Sequence, residues 1–204
     1  MEKKPIQVLV LNASLKHAPE VSNTGEVVRL VLERMEAIAP ISVTEVRLAD
    51  KNIPVGLGFK ESDDDEWPGI VEEINKASIV IFATPIWWGG RSSLMQRVIE
   101  RMDAFDEESN KGGRSVLLNK VAGIVITGSE DGAQAVAAGL MEVLSFLNFA
   151  LPPQCCTYWV GEVGKDTKTD ADRRHANEAV RHMAEKTARG LMHYAAVLSE
   201  RPLQ

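Results

Sequence analysis

Three stretches carry residue types that could hold a ligand. The first contains Ser14, Lys16, Ser22, Asn23 and Thr24, just ahead of a helical pattern. Free amides at a helix start, hydroxyls and one ammonium suit a phosphate dianion. The same residues also suit an ordinary helix cap at Ser22 or Asn23. The second stretch is Pro85-Ile-Trp-Trp-Gly89, with Ile86, Trp87 and Trp88 at its centre and Gly90 behind it. Its tryptophans offer broad apolar walls, and its glycines let a flat ligand approach the backbone. It reads equally as a strand–helix turn with buried aromatics. The third, Thr127-Gly128-Ser129 running on to Gly132, supplies backbone donors and small polar groups. A phosphate cradle beside a flat apolar slot describes a mononucleotide with a large planar ring. The first stretch lacks both the Gly-x-Gly-x-x-Gly pattern and a Gly-Lys-Ser/Thr ending, which argues against the usual dinucleotide and nucleoside-triphosphate modes.

The elements that must position these stretches alternate along the chain. Ile6–Leu11 is a short apolar run and predicts a first buried strand. Thr24 opens a helix to about Ile38, with Val27, Val31 and Met35 on one face and Pro40 after it. Ile41–Leu48 predicts strand two. Residues 49–65 form a loop, and a helix follows over Trp67–Lys76. The acidic run Asp63-Asp64-Asp65-Glu66 before that helix suits the positive end of its macrodipole; a divalent-metal cluster is the lesser alternative, since the residues are consecutive. The continuous apolar run from Ile79 suits a strand buried on both faces, and Pro85, which cannot donate to a ladder, predicts its end. Leu94, Val98, Met102 and Phe105 mark the next helix. Asp106–Leu118 reads as a polar connection, either a lid or a plain surface loop. Val121–Thr127 predicts strand four, with Ser129 as a cap for a helix carrying Val136, Leu140, Leu144 and Leu147 and ended by Pro152-Pro153. Cys156–Val160 predicts strand five, and Thr169 or Asp170 caps a last helix to about Ser199. Five strands alternating with five helices, without repeat or linker, predict one domain over 1–204 with a doubly wound parallel sheet and helices on both faces. In the strand order 2-1-3-4-5, the loops after strands one, three and four converge on one cleft at the carboxyl edge.

Composition narrows the function classes. The chain has 204 residues, 45% hydrophobic and 25% charged, with a net charge of −6. Nothing basic favours nucleic acid or an anionic membrane, and no apolar run predicts a membrane span. The cytoplasm is the expected setting. Adjacent Cys155 and Cys156 are expected to be reduced and packed rather than redox-active. No metal site is predicted: His17, His175, His182 and His193 are scattered, the last three on the surface of the last helix.

Asn12-Ala-Ser-Leu-Lys16, Ser22-Asn-Thr24, Ala83-Thr-Pro-Ile-Trp-Trp-Gly89 and Thr127-Gly-Ser129 together resemble the FMN-dependent NAD(P)H oxidoreductases of flavodoxin-like fold, which include FMN reductases and quinone reductases. The likeness runs from Ile6 to about Gly161. It implies a flavodoxin-like sheet, FMN as cofactor and NADH or NADPH as reductant. It implies that Ser14, Lys16, Ser22, Asn23 and Thr24 hold the phosphate, and that Pro85–Gly89 and Thr127–Ser129 border the isoalloxazine. No side chain is then expected as general acid or base, since the flavin carries the chemistry. The iron–sulfur members' Cys-rich segment is absent, which excludes that subgroup. The implied function is hydride transfer from a nicotinamide nucleotide through FMN to a small-molecule acceptor such as a quinone or free flavin. The rivals are a flavodoxin-type electron carrier with protein partners and a flavin-free scaffold. Lys16, Arg91, Arg97, Arg101 and Arg114, on or after the cleft loops, favour a small anionic reductant over a carrier's acidic rim. Trp87 and Trp88, too near the ligand edge for deep burial, predict a homo-oligomer, a homodimer or homotetramer, whose partner chain walls part of the cleft.

Overall fold

The computed structural model describes residues 4–161 and 175–204, the side chain of Asn110 excepted. Strands β1 (Ile6–Asn12), β2 (Ile41–Arg47), β3 (Ile79–Trp87), β5 (Val121–Gly128) and β6 (Cys156–Val160) form a parallel sheet in the order β2-β1-β3-β5-β6. The two-residue β4 (Gly90–Arg91) pairs antiparallel with the end of β3. The helices are α1 (Asn23–Glu36), α2 (Trp67–Lys76), α3 (Ser93–Arg101), α4 (Asp103–Asn110), α5 (Ala133–Phe146) and α6 (Glu178–Glu200). This is the expected flavodoxin-like, doubly wound order.

Burial on both faces of the sheet explains the apolar runs of β1 after Gln7, of β3 and of β5. Leu9, Leu11, Val80, Phe82, Ile124 and Ile126 face one way, into a core shared with α2, α3 and α5. Val8, Val10, Ile79, Ile81, Val121 and Val125 face the other way, into a core shared with α1 and α6. Helix α6 buries Val180, Thr187 and Leu191 on this side.

Several local expectations need correcting. Strand β3 does not end at Pro85 but runs to Trp87. Its partner β1 has already finished, pairing Asn12 with Ala83, while β5 still pairs Thr127 with Pro85. The missing N–H therefore falls where no ladder remains on the β1 side. The stretch read as a polar connection from Asp106 is partly helical, because Ala104 and Phe105 bury enough to dock α4. Ser129 does not cap α5; Gly132, with φ 126°, stands at that position. Helix α5 ends at Phe146, before Pro152-Pro153, and Asn148 at φ 70° turns the chain out in the left-handed conformation common after helices. The cap anticipated at Thr169 or Asp170 lies outside the described residues; Asn177 caps α6 by accepting from the Val180 amide at 3.1 Å. Of the acidic run, Asp65 does take the first amide of α2, from Trp67 at 2.8 Å, and is also half of a buried ion pair with Arg101, 2.7 Å away on α3.

Candidate cofactor site

Each of the three loops leaves a neighbouring strand at its carboxyl end, and side chains then lock them together. Buried Ser92 donates from Oγ to the Ala13 carbonyl at 2.9 Å, joining the first loop to the segment after β4. Thr24 and Thr127 share a hydroxyl–hydroxyl bond of 2.7 Å, joining the start of α1 to the end of β5. The Glu130 carboxylate accepts the Trp88 amide at 2.6 Å, joining the second loop to the third. The convergence expected from the strand order is therefore present.

The first loop is built on buried polar contacts. Ser22 is the N-cap of α1, its Oγ accepting from the Gly25 amide at 3.0 Å. Both readings of this residue thus remain compatible, since a cap leaves the first helical turn's other amides pointing outward. Fully buried Asn12 organises the loop: its Oδ1 accepts from the Ser14 amide and its Nδ2 reaches Ser22 Oγ and Glu45. Ser14 Oγ in turn accepts from the Lys16 amide at 3.3 Å. Further out, Asp50 takes the Ala18 amide and lies 2.9 Å from His17 Nδ1, tying the loop to the turn after β2. Desolvation pushes the Asp50 carboxyl up, but the His17 and Ala18 hydrogen bonds outweigh it and hold it below the ordinary value.

The second loop is a hairpin rather than a simple strand–helix turn. Trp87 pairs with Gly90 and Ile86 with Arg91, leaving Trp88 and Gly89 as a two-residue turn. Both have positive φ, 49° and 74°, as a type I′ turn requires. Ile86 is buried in the core, Trp87 is 51% exposed and Trp88 93% exposed. The third loop closes against this turn. A methyl group added at Gly132 would sit 2.8 Å from Gly89 Cα, and one added at Gly128 would meet Ile86. The third loop's glycines are thus needed for its close approach to the hairpin.

The donor set fits FMN. Helix-start amides, the Ser14 and Ser22 hydroxyls and Lys16 lie on one loop, suited to a dianion. The hairpin and the third loop present indole faces and close-packed backbone beside it, suited to a flat ring. Thr24 and Thr127 hold their loops together through their hydroxyls.

Some residues given a role from sequence are used elsewhere. Arg97 donates to the Ile53 carbonyl, Arg101 is buried against Asp65, and Arg114 bonds the Leu203 carbonyl. Of the five cations, Lys16 and Arg91 remain beside the loops. Glu130 precedes α5 and holds the hairpin. Sequence reasoning missed Asn12 and Asp50 as organisers of the first loop; Asn12, at a strand end inside the quoted motif, carried the signal. Burial pushes both thiols up, Cys156 to about 12, so neither is a thiolate at neutral pH.

A family model described as NADPH-dependent FMN reductase matches residues 6–163. The chain is 30% identical over 210 residues to the 8-demethyl-8-aminoriboflavin-5'-phosphate synthase of Streptomyces davaonensis, covering 97% of the chain and 80% of that protein. It is 33% identical over 166 residues to the divalent metal cation transporter MntH of Mycobacterium bovis, but spans only 24% of that protein's length. Among solved structures, RosB with bound 8-demethyl-8-formylriboflavin-5'-phosphate is similar at TM-score 0.82 and 27% identity, over 97% of this chain and 82% of that one. An NADH:FMN oxidoreductase in its apo form shares the fold at TM-score 0.68 and 18% identity, over 97% of this chain and 92% of that one.

Proposed function

The chain belongs to the NADPH-dependent FMN reductase family, and from that premise we propose that it passes the electrons of NADH or NADPH through FMN to a small-molecule acceptor such as a quinone or free flavin. Membership makes it an oxidoreductase that uses FMN and a reduced nicotinamide nucleotide. FMN, when bound, supplies a carrier that takes a hydride from one substrate and returns two electrons to the next. The residues of the chain bind and orient. In this reading the first loop, with Ser14, Lys16, Ser22, Asn23 and the start of α1 at Thr24, holds the phosphate. The hairpin Pro85–Gly89 and Thr127–Ser129 border the ring. The observation that carries the reading is the cross-bonding of these three loops into one cleft.

An absorption spectrum of the purified protein, then anaerobic titration with each nucleotide and steady-state oxidation with a quinone, tests the proposal. A flavin reduced by neither nucleotide would favour an electron carrier. A second reading comes from the Streptomyces davaonensis synthase, 30% identical across nearly the whole chain: the site would take riboflavin-5'-phosphate as a substrate to be altered on its ring. We expect heat-released flavin to run as FMN, not FAD, and to keep its mass after many turnovers. FAD in the chromatogram, or no flavin even after reconstitution, would sink the first reading; a changed ring mass would favour the second.

The proposed assembly is a two-fold dimer of chains acting as one domain over residues 1–204, in the cytoplasm where reduced nicotinamide nucleotides are made. Its motive is the adjacent exposed indoles of Trp87 and Trp88, which are 51% and 93% exposed. Light scattering at micromolar concentration should give twice the 22.4 kDa of one chain. A single-chain mass with full activity would refute it. No helix among the described residues is long and apolar enough to cross a membrane.

A further inference from the structure

We propose that Glu45, on the edge strand β2, is a positioning residue for the cofactor: through Asn12 it turns the Ser22 hydroxyl proton toward the FMN phosphate. This rests on the reading that puts the phosphate on the first loop, and it gives a strand outside the three loops a part in binding.

The charge of Glu45 is the wrong one for a ligand residue. A carboxylate beside a phosphate site disfavours the dianion. Its contact is instead with the buried end of β1, where Oε1 accepts from Asn12 Nδ2 at 2.8 Å. Asn12 is fully buried. A side-chain amide has a donor end and an acceptor end, and its surroundings decide which way round it sits. An ionised carboxylate only accepts, so Glu45 selects the Nδ2 end. The Oδ1 end is left for the Ser14 amide, which donates to it at 3.1 Å. Turned over, Asn12 would set oxygen against carboxylate and N–H against N–H. Arg47, two residues along β2, donates to the Glu20 carbonyl at 2.8 Å and holds the same loop at a second point.

The orientation of Asn12 governs Ser22. A hydroxyl carries two acceptor lone pairs and one proton. Ser22 Oγ accepts from the Gly25 amide at 3.0 Å and from Asn12 Nδ2 at 3.3 Å. With both lone pairs engaged, the proton is what Ser22 has left to give. Within the loop its acceptor is Asn12 Oδ1 at 3.4 Å, a long contact to an oxygen that Ser14 already uses. A phosphate oxygen takes that proton in a stronger, charge-assisted bond. Without Glu45, Nδ2 loses its anchor, and Oδ1 can close on Ser22 and hold the proton back from the ligand.

The test titrates the full-length apoprotein with FMN and with riboflavin, which lacks only the phosphate, and a thermal melt checks that each variant is folded. Glu45→Ala should raise the FMN Kd about fivefold, as loss of one well-placed hydrogen bond predicts, and leave the riboflavin Kd unchanged. Glu45→Gln, which keeps an oxygen for Asn12, should bind FMN within about twofold of wild type. Ser22→Ala should raise the FMN Kd about tenfold or more. Adding Glu45→Ala to Ser22→Ala should change it no further, because both act on one proton. Unchanged FMN binding in Glu45→Ala would overturn the proposal; so would tighter binding, the effect of removing a negative charge and nothing else. Equal weakening of FMN and riboflavin would overturn it as a general loosening of the fold, and so would additive effects in the double variant. If Ser22→Ala leaves the FMN Kd as it was, the phosphate placement fails and the proposal falls with it. If Ser22→Ala weakens FMN binding and Glu45→Ala does not, the placement stands and only the proposal falls.

Discussion

Arg101→Met is expected to destabilise the protein by about 3–5 kcal/mol, the usual effect of stripping one partner from a buried ion pair. Both side chains of the Asp65–Arg101 pair are fully buried. Arg101 also donates to the Gly58 and Pro54 carbonyls at 3.1 Å and lies over the Trp67 ring, 5.6 Å from its centroid. Asp65 accepts in addition from the Trp67 and Glu61 amides. The methionine variant therefore leaves a buried carboxylate and two carbonyls short of donors. For a chain of this length the loss corresponds to a fall in Tm on the order of 10 °C.

The same pair makes a pH signature. Desolvation pushes the Asp65 carboxyl up, but the Arg101 hydrogen bond and the two amides outweigh it, so its folded value lies below the ordinary 3.8. A depressed carboxylate contributes stability that is present above the unfolded value and is lost as pH falls through the folded one. Wild-type stability should therefore drop below about pH 4, and the variant should lose less there, having less to lose. Urea melts at pH 7 and pH 3 check both statements. Asp65→Ala combined with Arg101→Met should melt closer to wild type than Arg101→Met alone, since no lone charge remains. A single variant within about 1 kcal/mol of wild type at pH 7 would show that the pair is energetically idle.

Ser22→Ala with Asn23→Ala is expected to weaken FMN binding by two to four orders of magnitude, on the order of 1.5–3 kcal/mol for each charge-assisted contact to the phosphate. The structure adds a separable term. Ser22 caps α1 through the Gly25 amide, so its loss also costs about 1 kcal/mol of stability. Flavin-fluorescence titration of the apoprotein measures the first effect and a thermal melt the second. A folded double variant that binds FMN as the wild type does would put the phosphate elsewhere.

The sheet was legible because its central strands are buried on both faces: Ile79–Ala83 and Val121–Ile126 have no polar side chain to interrupt the run. The three loops were legible because each follows such a strand. What escaped were pairings between residues far apart. Asp65 reads as one of four acids at a helix start, and only the fold brings Arg101, 36 positions on, against it. Hairpin β4 was hidden because a two-residue strand has no periodicity, and because Trp88 is an improbable occupant of a positive-φ site. Helix α4 escaped because Ala104 and Phe105 alone anchor a polar segment.

The contact of Gly132 with Gly89 bears on how this scaffold can be re-engineered. Gly132 has no room for a side chain against the Gly89 backbone, while Gly89 is kept by its φ of 74° rather than by a neighbour. A Cβ at Gly132 demands displacement of the second loop, whereas one at Gly89 meets no atom and strains the backbone instead. Trp88 shares the turn, and its φ of 49° restricts it in the same way although its side chain is 93% exposed. A mutant library on this turn should therefore keep both glycines fixed and place its diversity outside residues 88–89. Recombination with relatives should exchange the second and third loops together, as one inherited block.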